Sequence, residues 1–179
     1  CSMGAEQEGP SRAFSPARRC VLMGLKRLFR GRKPAPKENV PTGPRKRILY
    51  VEDIQTNWEI CKIHLEDNYE MHHAATSFAA IDQLKAQNFD LILMDIELQG
   101  SDMDGITLTQ ALKGKLGAPP AYVQEVGTIE TPIIFLTAYT SVYGRSTAHK
   151  AGGTDLFSKP VDFDGLKRSI ERVLAETSE

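Results

Sequence analysis

Two kinds of apolar pattern alternate from residue 47 onward. Short unbroken apolar runs lie at 47–51 (RILYV), 91–94 (LILM) and 133–136 (IIFL). Between them, apolar positions recur every three or four residues. The runs predict strands, and the periodic stretches predict helices over 57–66, 77–87, 105–112, 141–150 and 163–176, with weaker strands at 69–74 and 156–158. In the first helix Ile60, Ile63, His64 and Leu65 are expected to face inward, and in the second Phe78, Ile81 and Leu84. In the last, Leu166, Ile170, Val173 and Leu174 form one side. The pair Gly152–Gly153 is expected to end the fourth helix. Strands that are apolar without alternation belong to a parallel sheet covered on both faces. Right-handed crossovers leave few arrangements. The expectation is an α/β fold, (βα)5, with a doubly wound parallel five-stranded sheet in the order 2-1-3-4-5. Its ligand crevice then lies beyond the carboxyl ends of the first and third strands.

Composition changes the picture at the N-terminus. The 179 residues have a formal net charge of −1, yet 12 of the 22 Lys and Arg lie in 1–47 against three acids. Six of the ten prolines lie there too. Residues 1–45 are therefore expected to form a basic, proline-rich flexible arm, and 46–179 an acidic domain. Val21, Leu22, Leu25, Leu28 and Phe29 share one face of a helix over 18–30, flanked by Lys26, Arg27 and Arg30. That suits an anionic membrane surface or a partner's groove, and a solvated tail is the equal alternative. Nucleic acid is a poorer match, because Phe14 and Phe29 are the arm's only aromatics. Cys1 reads as a remnant ahead of Met3, with Met23 a second candidate start. No apolar run is long enough to span a bilayer, and no cleavage pattern follows the short apolar stretch. Cys1, Cys20 and Cys61 form neither a zinc nor a disulfide pattern and fit a cytoplasmic protein, membrane-peripheral at most through 18–30.

Candidate chemistry gathers at the strand ends. Glu52 and Asp53 close the first strand, Asp95 the third and Thr137 the fourth, and Lys159 follows the fifth. In the expected order these four strands are consecutive neighbours about 4.8 Å apart. One sheet edge then reads acid pair, acid, hydroxyl, ammonium. Two carboxylates about 4 Å apart repel by roughly 4 kcal/mol at an effective dielectric of about 20. Either protons stay or a divalent cation binds. An all-oxygen donor set with open positions favours Mg²⁺. A carboxylate beside Mg²⁺, a hydroxyl and a lysine is a candidate phosphoryl acceptor.

The segments ILYVED (48–53), DLILMDIELQGSDMDGI (90–106), PIIFLTAY (132–139) and DLFSKPVDF (155–163) resemble a response-regulator receiver domain over roughly 46–176. The resemblance implies the flavodoxin-like form of the fold. It implies Asp95 as phospho-acceptor and Asp53 as a Mg²⁺ ligand, with Glu52 assisting through water or as a second ligand. The main-chain carbonyl of Glu97 would complete the protein ligands. Thr137 would hydrogen-bond the phosphoryl group, Lys159 would pair with it, and Pro160 would follow a cis peptide. Asn57 matches the Asn of VEDxxxN receivers, and a helix N-cap is its equally good alternative role. Departures are the longer loop LQGSDMDG (98–105), Leu156 where the family has its aromatic switch, and the long segment 114–131. Phe157 reads as core, Tyr139 as a modulator of water access, and 114–131 as a tolerated insertion rather than a partner-specific loop.

The remaining residues read blandly. His64, His72, His73 and His149 are expected to be structural or solvated, Trp58 and Met94 packing residues, and Asp102 and Asp104 turn formers. The leading function is a Mg²⁺-dependent phospho-accepting receiver, not an enzyme. It would be served by a histidine kinase or phosphotransfer protein, with output through protein–protein contact, since no output domain follows the last helix. The alternative is a phosphorylation-independent interaction module, with the arm as tether. An aspartate-nucleophile hydrolase is disfavoured, because Asp95-Ile96-Glu97 lacks its second aspartate and no cap region exists. A flavin site is disfavoured by the acidic, glycine-free loop EDIQTN.

Overall fold

The structure, a computed structural model, describes residues 43–139 and 142–177. The arm and its candidate helix over 18–30 lie outside the described residues. The elements run β1 (Arg47–Val51), α1 (Gln55–Leu65), β2 (Glu70–Ala74), α2 (Ser77–Ala86), β3 (Leu91–Asp95), α3 (Gly105–Leu112), α4 (Ala121–Gln124), β4 (Ile133–Thr137), α5 (Arg145–Ala151), β5 (Asp155–Ser158) and α6 (Phe163–Glu176). The five strands form one parallel sheet in the order β2-β1-β3-β4-β5.

Strand side chains alternate between two cores. Leu49, Val51, Ile92, Met94, Ile133 and Phe135 pack on one face, under Ala80, Ile81, Leu108, Leu112 and Ala148 of α2, α3 and α5. Ile48, Tyr50, Leu91, Leu93, Ile134 and Leu136 pack on the other, under Cys61 and Leu65 of α1 and Leu166, Ile170 and Val173 of α6. Burial on both faces is why the inner strands β1, β3 and β4 carry no polar alternation, whereas the edge strands β2 and β5 are only partly buried. The expected fold is the observed one.

Several expectations need correction. Helix α1 begins at Gln55, not at residue 57, and it buries Cys61 and Leu65. Ile60 and Ile63 are 45% and 68% exposed, and His64 is exposed. The inner stripe runs through Asn57, Trp58, Cys61 and Leu65, so the periodic isoleucines mark the wrong face. Phe78 is exposed, because α2 turns Ser77, Ala80 and Ile81 inward. Segment 114–131 contains α4, which the sequence pattern did not predict. Helix α5 starts at Arg145, and Gly152 ends it in the left-handed region at φ 108°.

One glycine is required by close approach. A Cβ on Gly105 would lie 1.9 Å from the main-chain oxygen of Asp95 and 2.9 Å from Met94 Cγ. The absent side chain lets α3 start directly against the end of β3, and Gly105 N–H donates to Ile96 O at 2.8 Å. Asp104 caps the helix by accepting from Thr107 N–H at 2.6 Å.

Candidate metal and acceptor site

The sheet register decides what meets at its carboxyl edge. Val51 pairs with Met94, Asp95 with Leu136 and Thr137 with Ser158. The residues that follow or end these strands therefore share one rim. Glu52, Asp53 and Asp95 each place a carboxylate oxygen there, all within 4.8 Å of one another. Lys159 Nζ reaches across from β5 and pairs with Glu52 Oε2 at 2.6 Å and Asp95 Oδ2 at 2.7 Å.

The three acids are in different states. Glu52 is fully buried, and both its oxygens are engaged. Oε1 accepts from Asn57 Nδ2 at 2.7 Å, while Oε2 accepts from Lys159 and from the Tyr50 hydroxyl. Three donors are what make a buried carboxylate tolerable. Asp53 Oδ2 accepts from Gln99 N–H at 3.2 Å. Its Oδ1 is buried and meets no hydrogen-bond donor among the described residues. Asp95 is 4% exposed, and its Oδ1 receives only a long bond, 3.4 Å, from Glu97 N–H.

The titration behaviour follows from this. Burial raises the Asp95 carboxyl, the Lys159 ammonium pulls it back and the Glu52 charge raises it again, which leaves it up at about 6. Burial disfavours the Lys159 ammonium, but its bonds to Asp95 and Glu52 outweigh that and raise its pKa. Burial and then Glu52 raise the Tyr50 phenol, so it stays a donor. An unpartnered buried oxygen on Asp53, beside a half-satisfied Asp95, fits a hard cation with oxygen ligands. Glu52 fits a supporting place, since its oxygens already hold Asn57, Tyr50 and Lys159.

The remaining expected residues stand as follows. Thr137 is fully buried at the end of β4, and its Oγ1 accepts from Tyr139 N–H at 3.0 Å. Its main-chain oxygen accepts from Lys159 N–H at 2.7 Å, which ties the two strand ends together. The Lys159–Pro160 peptide is cis. Glu97 has an exposed side chain, and its main chain adjoins Asp95. Asn57 is not the cap of α1. That position is Ile54, with no side-chain cap bond, and Asn57 turns inward to Glu52 instead. Leu156 is buried in one core, and Phe157 packs, partly buried, against the core on the opposite face.

Three residues at or near the rim escaped the sequence reading. Tyr50 lies two residues before Glu52, so strand alternation puts both on one face; that signal was present. His73, expected to be structural or solvated, is structural, and only its place at the rim went unread. Its Nε2–H donates to the Glu52 carbonyl at 2.7 Å, and its ring stacks on Trp58 at 4.8 Å between centroids. Asp102 is more than a turn former, because it accepts from the Ser77 hydroxyl and, at 2.5 Å, from the Tyr122 hydroxyl.

Comparison with known proteins agrees with this fold. A family profile described as "Response regulator receiver domain" matches residues 48–171. The chain is 33% identical over 131 residues to the "Transcriptional regulatory protein ZraR" of Escherichia coli (strain K12), covering 73% of this chain and 26% of that protein. It is 29% identical over 129 residues to the "Transcriptional regulatory protein CrdR" of Helicobacter pylori, covering 72% of this chain and 54% of that one. The chain thus spans about a quarter of ZraR and about half of CrdR. Among solved structures, the receiver domain of a putative Luxo repressor protein from Vibrio parahaemolyticus superposes with a TM-score of 0.61 at 26% identity, over 75% of this chain and 94% of that one. A Francisella receiver domain superposes with a TM-score of 0.62 at 23% identity, over 74% and 99%, which bears on the fold alone.

Proposed function

The chain belongs to the response regulator receiver domain family of two-component signalling, and from there we propose that it accepts a phosphoryl group on Asp95 in a Mg²⁺-dependent step. The observation that carries this reading is the asymmetry of the acid cluster. Lys159, Tyr50 and Asn57 hold Glu52, and Lys159 also holds one oxygen of Asp95, while among the described residues Asp53 Oδ1 has no partner and Asp95 Oδ1 is weakly held. In this reading Asp53, Asp95 and the Glu97 carbonyl hold the cation, with Glu52 assisting from behind. Bound there, Mg²⁺ neutralises charge on the phosphoryl oxygens.

The chain's own residues would do the rest. Asp95 Oδ1 forms the new bond to phosphorus as the bond to the donor's nitrogen or oxygen breaks, and the electron pair leaves with the donor. Lys159 loses its salt bridge to one carboxylate oxygen and pairs with the phosphoryl group. The Thr137 hydroxyl, still able to donate, turns from its loop toward that group. The donor would be a histidine kinase or a histidine phosphotransfer protein. Apolar surface for it lies beside the rim: Ile54 stands exposed at the N-cap of α1 and Ile60 and Ile63 on the helix, and a cleft of about 170 Å³ runs between α1 and the Pro160–Phe163 segment. Output would pass through contact with another protein. Residues 1–45 would serve as a basic tether to a partner or an anionic membrane surface.

A second reading rests on Leu156, which is buried where an aromatic switch would move. In it the chain signals by binding alone. NMR with beryllofluoride and Mg²⁺ separates the two. Amide shifts at Asp95, Thr137 and Lys159 are expected from the phospho-accepting reading, and unmoved signals would favour the second.

A further inference from the structure

The segment between α3 and β4 is docked on the rest of the fold. Val123 is buried, and Leu116, Tyr122, Val126 and Ile129 pack on the same core. Lys113 Nζ donates to the carbonyls of Ile129 and Thr131 at 3.0 and 2.9 Å and fixes the segment's far end. Lys85 pairs with Glu125 at 2.5 Å, joining the end of α4 to α2. The Tyr122 ring stacks on Phe78 at 4.3 Å.

The Tyr122 hydroxyl reaches further, into the loop after Asp95. It donates to Asp102 Oδ2 at 2.5 Å, while the buried Ser77 hydroxyl donates to Asp102 Oδ1. Ser101 Oγ accepts from Ser77 N–H at 2.9 Å and donates to Ser77 Oγ at 2.7 Å. Burial and the bond to Asp102 push the Tyr122 phenol up to about 12, so it remains a donor. At its other end the same loop touches the acids, through Gln99 N–H on Asp53 and Glu97 N–H on Asp95. Six residues thus run between an anchor outside the site and two groups inside it. Ser77 is buried while Asp102 is exposed, so it is the convergence of several bonds on this part-buried network that favours one loop geometry.

We propose that Tyr122 is a positioning residue: with Ser77 it holds Asp102, and so fixes residues 97–102 against Asp53 and Asp95. The insertion thereby sets cation affinity and the lifetime of the acyl phosphate. The cation affinity and the lifetime rest on the proposed Mg²⁺-dependent, phospho-accepting reading, while the position of the loop does not. Losing the anchor lets the loop sample positions in which the Glu97 carbonyl leaves the rim and water reaches Asp95.

The test compares Tyr122→Phe, which keeps the ring stack, Ser77→Ala, which removes a second donor to Asp102, and Glu125→Gln, which breaks only the exposed ion pair of α4. Amide hydrogen exchange at 97–102 is measured in metal-free protein, Mg²⁺ affinity by amide-shift titration, and phosphoryl half-life after acetyl phosphate. Tyr122→Phe and Ser77→Ala are expected to exchange faster at 97–102, to bind Mg²⁺ about threefold more weakly and to lose phosphate about threefold faster. Glu125→Gln is expected to match wild type. Wild-type exchange and Mg²⁺ affinity in both hydroxyl variants would overturn the proposal. So would an equal effect from Glu125→Gln, which would reduce the role to general docking. Should the wild type take up no phosphoryl group, the proposed function fails while the exchange measurement still judges the brace.

Discussion

Lys159 binds two buried acids with one ammonium, and each of the three depends on the others. Lys159→Ala leaves Glu52 fully buried with only Tyr50 and Asn57 as donors. The expected cost is about 3 kcal/mol, read from urea unfolding. Asp95 acts in the opposite direction. Its carboxyl sits near 6 in the fold against an ordinary 3.8. Because the folded state holds the proton more tightly, the stability this group contributes is full below pH 3.8 and is lost as pH rises through about 6. Asp95→Asn, which never ionises, is therefore expected to gain on wild type across that window, by about 1 kcal/mol or more at pH 7.5 without Mg²⁺. Parallel stability curves for the two proteins would contradict this. Asp53, Asp95, Thr137 and Lys159 were legible in the sequence because each ends or follows an apolar run. The inward turn of Asn57 and the hold of His73 on the Glu52 carbonyl were not, because both depend on contacts between elements that no local pattern encodes.

At the scale of elements, the three inner strands were plain because short unbroken apolar runs have no other way to bury both faces, while the two edge strands, EMHHA and DLFS, left a weaker signal. Helix faces were harder to read. In α1 the most regular apolar spacing belongs to Ile60 and Ile63, which face solvent, while the buried stripe is built from Asn57, Trp58, Cys61 and Leu65. Polar groups that serve the rim occupy an inner position there, and a count of apolar periodicity passes over them. Helix α4 has four residues and no capping side chain, too short to leave a periodic signature. The junction of β3 and α3 depends on a missing side chain. Gly105→Ala drives a methyl into the Asp95 carbonyl, so α3 and the loop before it must shift. Circular dichroism melts are expected to show a loss of about 1–3 kcal/mol, and titration a weaker affinity for Mg²⁺. An unchanged melting temperature would mean that the close approach is relieved elsewhere at no cost.

Across the whole molecule, the rim is assembled from four strand ends, and the Lys159–Glu52 bond joins residues 107 positions apart. No single element of the fold contains the site, so cation binding and folding are linked. Mg²⁺ at about ten times its Kd is expected to add about 1.4 kcal/mol to wild-type stability and far less to Asp53→Asn. Thermal melts with and without the ion read this directly, and an equal gain in both would place the cation elsewhere. No helix among the described residues is long and apolar enough to cross a membrane. The central claim is narrower than any of these: one carboxylate, on Asp95, takes the phosphoryl group. Intact-mass spectrometry after incubation with acetyl phosphate and Mg²⁺ tests it most directly. Wild type is expected to gain the mass of one phosphoryl group, a gain lost when chelator is added beforehand and absent in Asp95→Asn. An unmodified wild type, or the same gain in Asp95→Asn, would contradict it.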